Sequence, residues 1–150
     1  MADLVLLFSD LIRLETELWN AVDARLRAEC GLPMSWFDTM QVIARRPGCR
    51  VQDIASDLAI TVGGASKMVD RIEAAGYGRR RANPDDRRSS IVEVTPAGRR
   101  VQAKATKVLE DELAIRLGAA LPQRSLEQFG ATIRKLRAAG RSVGTNQEPA

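Results

Sequence analysis

Residues 76–95 constrain the fold of this chain most, because they interrupt a helical pattern that runs on both sides of them. Two short segments, 78–82 and 89–95, lose the helical period. In the second, Ile91 alternates with polar or outward positions through Val92, Glu93 and Val94, which is the spacing of a strand. Asn83-Pro84-Asp85-Asp86 stands between the two segments, and these residue types favour turns. The stretch predicts a β-hairpin with a charged loop, set into an otherwise helical chain.

The helices on either side can be read from apolar spacing and end signals. Leu4, Phe8, Leu11, Leu18, Val22 and Leu26, widened by Leu7, Leu14 and Trp19, trace a long amphipathic helix that ends before Gly31. A second helix opens after Leu32-Pro33, with Ser35 as its expected N-cap and Phe37, Met40 and Ile43 facing inward; Pro47-Gly48 stops it. A short helix over 51–58 follows, then one over 62–75 capped by Thr61 and stopped at Gly76. After the hairpin, Thr95-Pro96 supplies an N-cap and a first helical residue for a helix to about Leu117, with Val101, Ala105, Val108, Leu109 and Leu113 inside. Pro122 opens a last helix carrying Leu126, Phe129, Ile133 and Leu136, and Gly140 is expected to end it, leaving 141–150 as a flexible polar tail. The fold class is mainly α with a small β-hairpin wing, in one compact unit, which suits a chain of 150 residues.

Composition narrows the function. The chain contains no histidine, which excludes histidine-dependent triads and His/Cys zinc sites. Its two cysteines, Cys30 and Cys49, come with no signal peptide and read as reduced cytoplasmic thiols. No apolar run approaches the ~20 residues of a membrane span, so a soluble, cytoplasmic protein with no membrane partner is expected. The net charge of +4 is carried by residues 76–100, where Arg79, Arg80, Arg81, Arg87, Arg88, Arg99 and Arg100 outnumber Asp85, Asp86 and Glu93. A basic surface of this kind suits an acidic partner such as nucleic acid.

Helix, tight turn, helix and arginine-bearing hairpin is the order of a winged helix-turn-helix. Ile54, Leu58, Ile60, Ala65, Val69 and Ile72 are expected to form its small core, and Ala55 lets the two helices cross closely. Burying Ala65, Val69 and Ile72 turns Gly63, Lys67, Asp70 and Ala74 outward, flanked by Gly64, Ser66 and Arg71. This is the candidate major-groove face, since a recognition helix reads bases mainly with its N-terminal part. Gly63 and Gly64 mark either a loose helix start or a place where backbone approaches phosphates and base edges. Asp70, a carboxylate beside DNA, is expected to pair with a nearby arginine.

The stretch TVGGASKMVDRIEAAGYGRRRANPDDRRSSIVEVTPAGRR resembles the recognition helix, wing and following helix of MarR-type regulators. Its most specific elements are Asp86-Arg87-Arg88 in the wing and Thr95-Pro96-Ala97-Gly98 after it; LPMSWFDTMQVIARRPG is similar more weakly. Two departures are Gly78, where the family usually has an apolar strand residue, and the adjacent glycines of the recognition helix. The resemblance implies a transcription regulator, a repressor rather than an enzyme, with no cofactor, that binds double-stranded DNA at a pseudo-palindromic operator. DNA contacts are then expected from Thr61, Gly63, Gly64, Ser66, Lys67, Arg71, Asp86, Arg87 and Arg88. Arg88 matches the arginine that enters the minor groove, held extended by Asp86, with Arg87 on phosphate.

The same resemblance implies a homodimer built by residues 1–34 and 101–140 around a DNA-binding lobe at 35–100. Its interface is expected to hold Leu4, Phe8, Leu11, Leu18, Leu126, Phe129, Ile133 and Leu136. It also implies release by a small aromatic or phenolic effector, for which Trp19 and Trp36 are the candidate binding residues, although both also suit plain core positions. Two alternatives stand beside this reading: a winged-helix module for protein or RNA, and a regulator that senses oxidants through Cys30 or Cys49.

Overall fold

The computed structural model describes residues 1–144. Its elements are α1 (Leu4–Cys30), α2 (Met34–Arg45), α3 (Val51–Leu58), α4 (Val62–Ala74), β1 (Gly78–Ala82), β2 (Ser90–Val94), α5 (Pro96–Leu113) and α6 (Gln123–Gly144). The two strands pair antiparallel, with Gly78 opposite Val94 and Ala82 opposite Ser90. The chain divides into two compact units, Met1–Glu112 and a second beginning at Leu113. Among the described residues, no helix is long and apolar enough to cross a membrane.

In the first unit, Leu26, Leu32, Phe37, Met40, Ile54, Val69, Ile72 and Val92 form the buried centre. Helix α1 starts where the Asp3 carboxylate accepts the backbone N–H groups of Val5 and Leu6, at 3.1 and 3.0 Å, and ends where Gly31 takes a left-handed conformation, φ 63°. Helix α2 corrects one expectation. Ser35 does not cap it: Pro33 is the N-cap residue, without a side-chain bond, and Asp23 of α1 accepts the Met34 N–H at 2.8 Å. A neighbouring helix supplies the acceptor, so Ser35 is free to lie inside the first turn. Helix α5 is tied to α1 through Arg25–Glu112 at 3.2 Å and through Lys104, whose ammonium donates to the Glu29 carbonyl.

Three further expectations change. Ile60 is exposed rather than part of the small core, because Ala59 adopts φ 53° and turns the chain outward between α3 and α4. Helix α5 gives way at Leu113 to one π-helical turn, Ala114–Gly118; the amides of Ala119, Ala120 and Leu121 bond back to Ala114 and Leu117, closing the helix before Pro122, which has no N–H to extend it. Gly140 does not stop α6, which continues to Gly144. Only Gly31, Gly48 and Gly76 have positive φ among the described glycines, so Gly140 stays helical among the good helix formers Ala138, Ala139 and Arg141. The remainder of the expected tail, 145–150, lies outside the described residues.

The hairpin is fastened to the helices at one crowded point. Thr95 donates its hydroxyl to the Gly76 carbonyl at 2.6 Å and accepts the Gly98 N–H at 3.0 Å, while its own amide bonds to the Tyr77 carbonyl at 2.9 Å. A Cβ on Gly98 would collide with that same Tyr77 carbonyl. This geometry gives Thr95-Pro96-Ala97-Gly98 a physical reason: end of α4, base of the hairpin and start of α5 meet within one side chain's width. Gly78 has a similar reason, since a Cβ there would stand 3.0 Å from the Ile72 side chain.

Candidate nucleic-acid interface

Helices α3 and α4 join through a three-residue turn, Ala59-Ile60-Thr61. Thr61 caps α4 by accepting the Gly64 N–H on its hydroxyl at 3.0 Å, which fixes where the helix starts. With Ala65, Val69 and Ile72 buried, the face carrying Gly63, Lys67, Asp70, Arg71 and Ala74 is exposed, and Gly64 and Ser66 are half-buried beside it. Nothing lies within 4 Å of a Cβ placed on Gly63. Internal packing therefore does not call for glycine there, although glycine costs ~1 kcal/mol against alanine inside a helix. Val62, missed in the sequence, is an exposed apolar residue at the head of α4 (53 % exposed).

Asp70 has the arginine partner expected of it, and the partner is Arg80 of β1, at 2.7 Å. Arg80 also reaches Glu73 at 3.4 Å and the Ser66 carbonyl at 3.2 Å, while its backbone N–H donates to Glu73 at 2.8 Å. One half-buried side chain thus ties the middle of α4 to the first strand of the hairpin. Arg79 and Arg81 serve differently: both bond the Glu93 carboxylate across the hairpin. The Arg81 bond above all, with Arg79 behind it, holds that carboxyl below the usual carboxylate range.

The loop between the strands is built from side-chain turns. The Asn83 carboxamide accepts the Asp85 N–H at 3.0 Å, and the Asp86 carboxylate accepts the Arg88 N–H at 2.9 Å. This corrects the role expected of Asp86. It shapes the backbone under Arg88 instead of holding the guanidinium, because an aspartate two residues upstream reaches the local amide first. Among the described residues, Arg87, Arg88, Lys67 and Arg71 form no ion pair, whereas Arg79, Arg80 and Arg81 all do. Arg88 lines a cleft of about 270 Å³ together with Val62 and Ser66 of α4 and with Arg80. The loop arginine and the head of α4 therefore border one recess.

The other predicted residues are dispersed. Trp19 is exposed on α1, beside a shallow recess with Glu15 and Asn20; Trp36 is half-buried in α2; neither lines the clefts around the hairpin. On α1, Leu4, Phe8 and Leu11 are exposed and Leu18 is half-buried; on α6, Ile133 and Leu136 are exposed and Leu126 and Phe129 half-buried. Both cysteines are free thiols. Burial, with Asp53 nearby, pushes the Cys49 thiol up to about 11, which disfavours the thiolate that reacts with oxidants.

Residues 31–89 match the MarR family model. Comparison with curated protein sequences gives no match. Among solved structures, the chain is similar to Sco3205, a MarR family transcriptional regulator from Streptomyces coelicolor in complex with DNA, with 23 % identity, TM-score 0.79, and 89 % of this chain and 85 % of that one covered. It is also similar to a mutant MarR from E. coli complexed with operator DNA, with 18 % identity, TM-score 0.76, and coverage of 88 % and 94 %. CouR from Rhodococcus jostii RHA1, bound to p-coumaroyl-CoA, gives 21 % identity, TM-score 0.74, and coverage of 89 % and 91 %. The family's sequence pattern is thus matched from the start of α2 to the hairpin loop, and over most of its length the chain has the winged helix-turn-helix fold of these structures.

Proposed function

We propose that the protein is a transcription regulator that binds duplex DNA in a sequence-specific manner, with α4 in the major groove and the hairpin loop in the flanking minor groove. One observation carries this reading: Lys67, Arg71, Arg87 and Arg88 are exposed without an ion pair among the described residues, while each arginine of β1 between them has a carboxylate partner. Cations left unpaired on a helix and its adjoining wing suit a polyanion. Thr61, Gly63, Gly64 and Ser66 complete the surface at the head of α4, where a helix N-terminus favours phosphate. Sco3205 and MarR were solved on DNA, which supports the same use of this fold here. The decisive experiment is binding to genomic duplex fragments across a salt series. Saturable, sequence-selective binding that weakens with salt is expected, and equal binding to all sequences would overturn the reading.

The chain acts as a homodimer and a repressor in this proposal. Exposed Leu4, Phe8 and Leu11 on α1 and Ile133 and Leu136 on α6 support the dimer, since wide apolar stripes seek cover. Two-fold symmetry would then place half-site centres roughly 10 base pairs apart. Sedimentation is expected to show a dimer at micromolar concentration, and a footprint without inverted symmetry would count against it. Release by a small aromatic effector near Trp19 or Trp36 completes the proposal, supported by the p-coumaroyl-CoA complex of CouR. It predicts tryptophan fluorescence changes with ligands that also weaken DNA binding.

A further inference from the structure

Alternation along β1 sends Arg80 toward α4 and sends Arg79 and Arg81 to the opposite face of the hairpin. There, with Arg46 from the end of α2 and Arg99 from the first turn of α5, they border a second cleft of about 490 Å³. This volume lies in the range of small-molecule sites, roughly 300–1,000 Å³. Ile43, Ala44 and Pro47 add apolar lining.

The charges around this cleft do not cancel. Arg46 is 3.2 Å from Asp53 and 3.9 Å from Asp57, so its charge is matched. Arg79 and Arg81 share the single carboxylate of Glu93. Arg99 is exposed, donates to the Val94 carbonyl at 3.0 Å, and forms no ion pair among the described residues. Three arginines against one glutamate leave a surplus of two positive charges beside apolar surface.

We propose that this cleft binds a small phosphate monoester: a dianion seated on Arg99 and the Arg79–Arg81 pair, with an apolar body against Ile43, Ala44 and Pro47. A dianion matches the surplus where a monocarboxylate leaves half of it, and guanidinium groups suit phosphate oxygens. Glu93 is the built-in competitor for the same two arginines.

The test is calorimetric titration of the full chain, without DNA, using phenyl phosphate as the probe and benzoate, inorganic phosphate and phenol as comparisons. Phenyl phosphate is expected to bind once per chain, at least ten-fold more tightly than any comparison. Arg99→Ala, at an exposed position, is expected to weaken it about ten-fold, and Glu93→Gln to tighten it several-fold by freeing both hairpin arginines. A purely structural role for these residues would not move affinity in opposite directions. No saturable binding at millimolar probe, equal affinity in wild type and Arg99→Ala, or benzoate matching phenyl phosphate would overturn the site. Loss of duplex binding in Arg99→Ala with probe affinity unchanged would also overturn it, by assigning Arg99 to the DNA backbone. If Glu93→Gln does not fold, Arg99→Ala and the ligand comparison still decide.

Discussion

Strand β1 and the loop beyond it carry the same kind of residue under opposite conditions. In β1 each of three successive arginines has a carboxylate partner, and Arg80 has two. In the loop, Arg87 and Arg88 have none among the described residues and stand in solvent. Sequence alone shows one basic block. Structure separates it into arginines that hold the hairpin in place and arginines that the hairpin presents. A basic cluster is therefore informative about partners only after its internal carboxylates have been counted.

The sharpest way to break this comparison is Arg88→Ala. It is expected to weaken operator binding by ~1–3 kcal/mol and to relax preference at flanking A·T positions, with folding stability unchanged within about 0.5 kcal/mol. Lysine at position 88 should rescue it only in part, because it keeps the charge without the planar fork. A loss of stability in urea titration comparable to the loss of affinity would move Arg88 into the structural class.

Arg80→Ala should show the reverse pattern, costing about 1 kcal/mol of folding stability. Asp70 is largely exposed, so the ion pair is screened and contributes less than a buried one; the bond to the Ser66 carbonyl adds to it. A double-mutant cycle with Asp70→Asn measures the pair directly, and zero coupling would show that the clamp is geometric only. Arg87→Ala is expected to lower affinity evenly for all sequences and to reduce the slope of log affinity against log salt by about one. A sequence-dependent loss would place Arg87 with the base readers.

The smallest effect tests the helix rather than the arginines. Gly63→Ala has open space around the new methyl and is expected to stabilise the chain by about 0.5–1 kcal/mol. DNA binding should weaken at the same time. If both stability and affinity rise in thermal melts and duplex titrations, the glycine marks a loose helix start and not a close backbone approach.

Which of these features the sequence revealed follows from how far each cause reaches along the chain. Gly31, Thr61, Gly76 and Thr95 act within a few residues of themselves, and all four mark element ends as expected. The expectation that Asp70 needs an arginine was local chemistry; that the arginine is Arg80 depends on strand position, which no local rule fixes. Ser35 failed as a cap because its competitor, Asp23, comes from another helix. Asp86 failed as a guanidinium partner for the opposite reason, since the nearest backbone amide claimed it. Val62 gave a signal that went unused: an apolar residue directly after a cap, outside the spacing of the buried face. The cleft behind the hairpin draws on α2, β1, β2 and α5, four elements whose meeting no sequence spacing announces.

The Cys49 thiol offers a clock for the lobe. Its sulfur is fully enclosed and bonded to the Arg50 carbonyl, while its own carbonyl takes the Val92 N–H at 2.7 Å, so it sits where α3 is entered and β2 is held. With its pKa raised from 9.0 to about 11, the folded state favours the protonated form; the contribution to stability is complete below pH 9 and fades as pH rises through 11. At pH 8 an alkylating reagent can reach this sulfur only when the lobe opens. The rate of Cys49 labelling then counts openings of the joint between hairpin and helix-turn-helix, and a bound duplex that spans α4 and the wing should slow it in proportion to its occupancy.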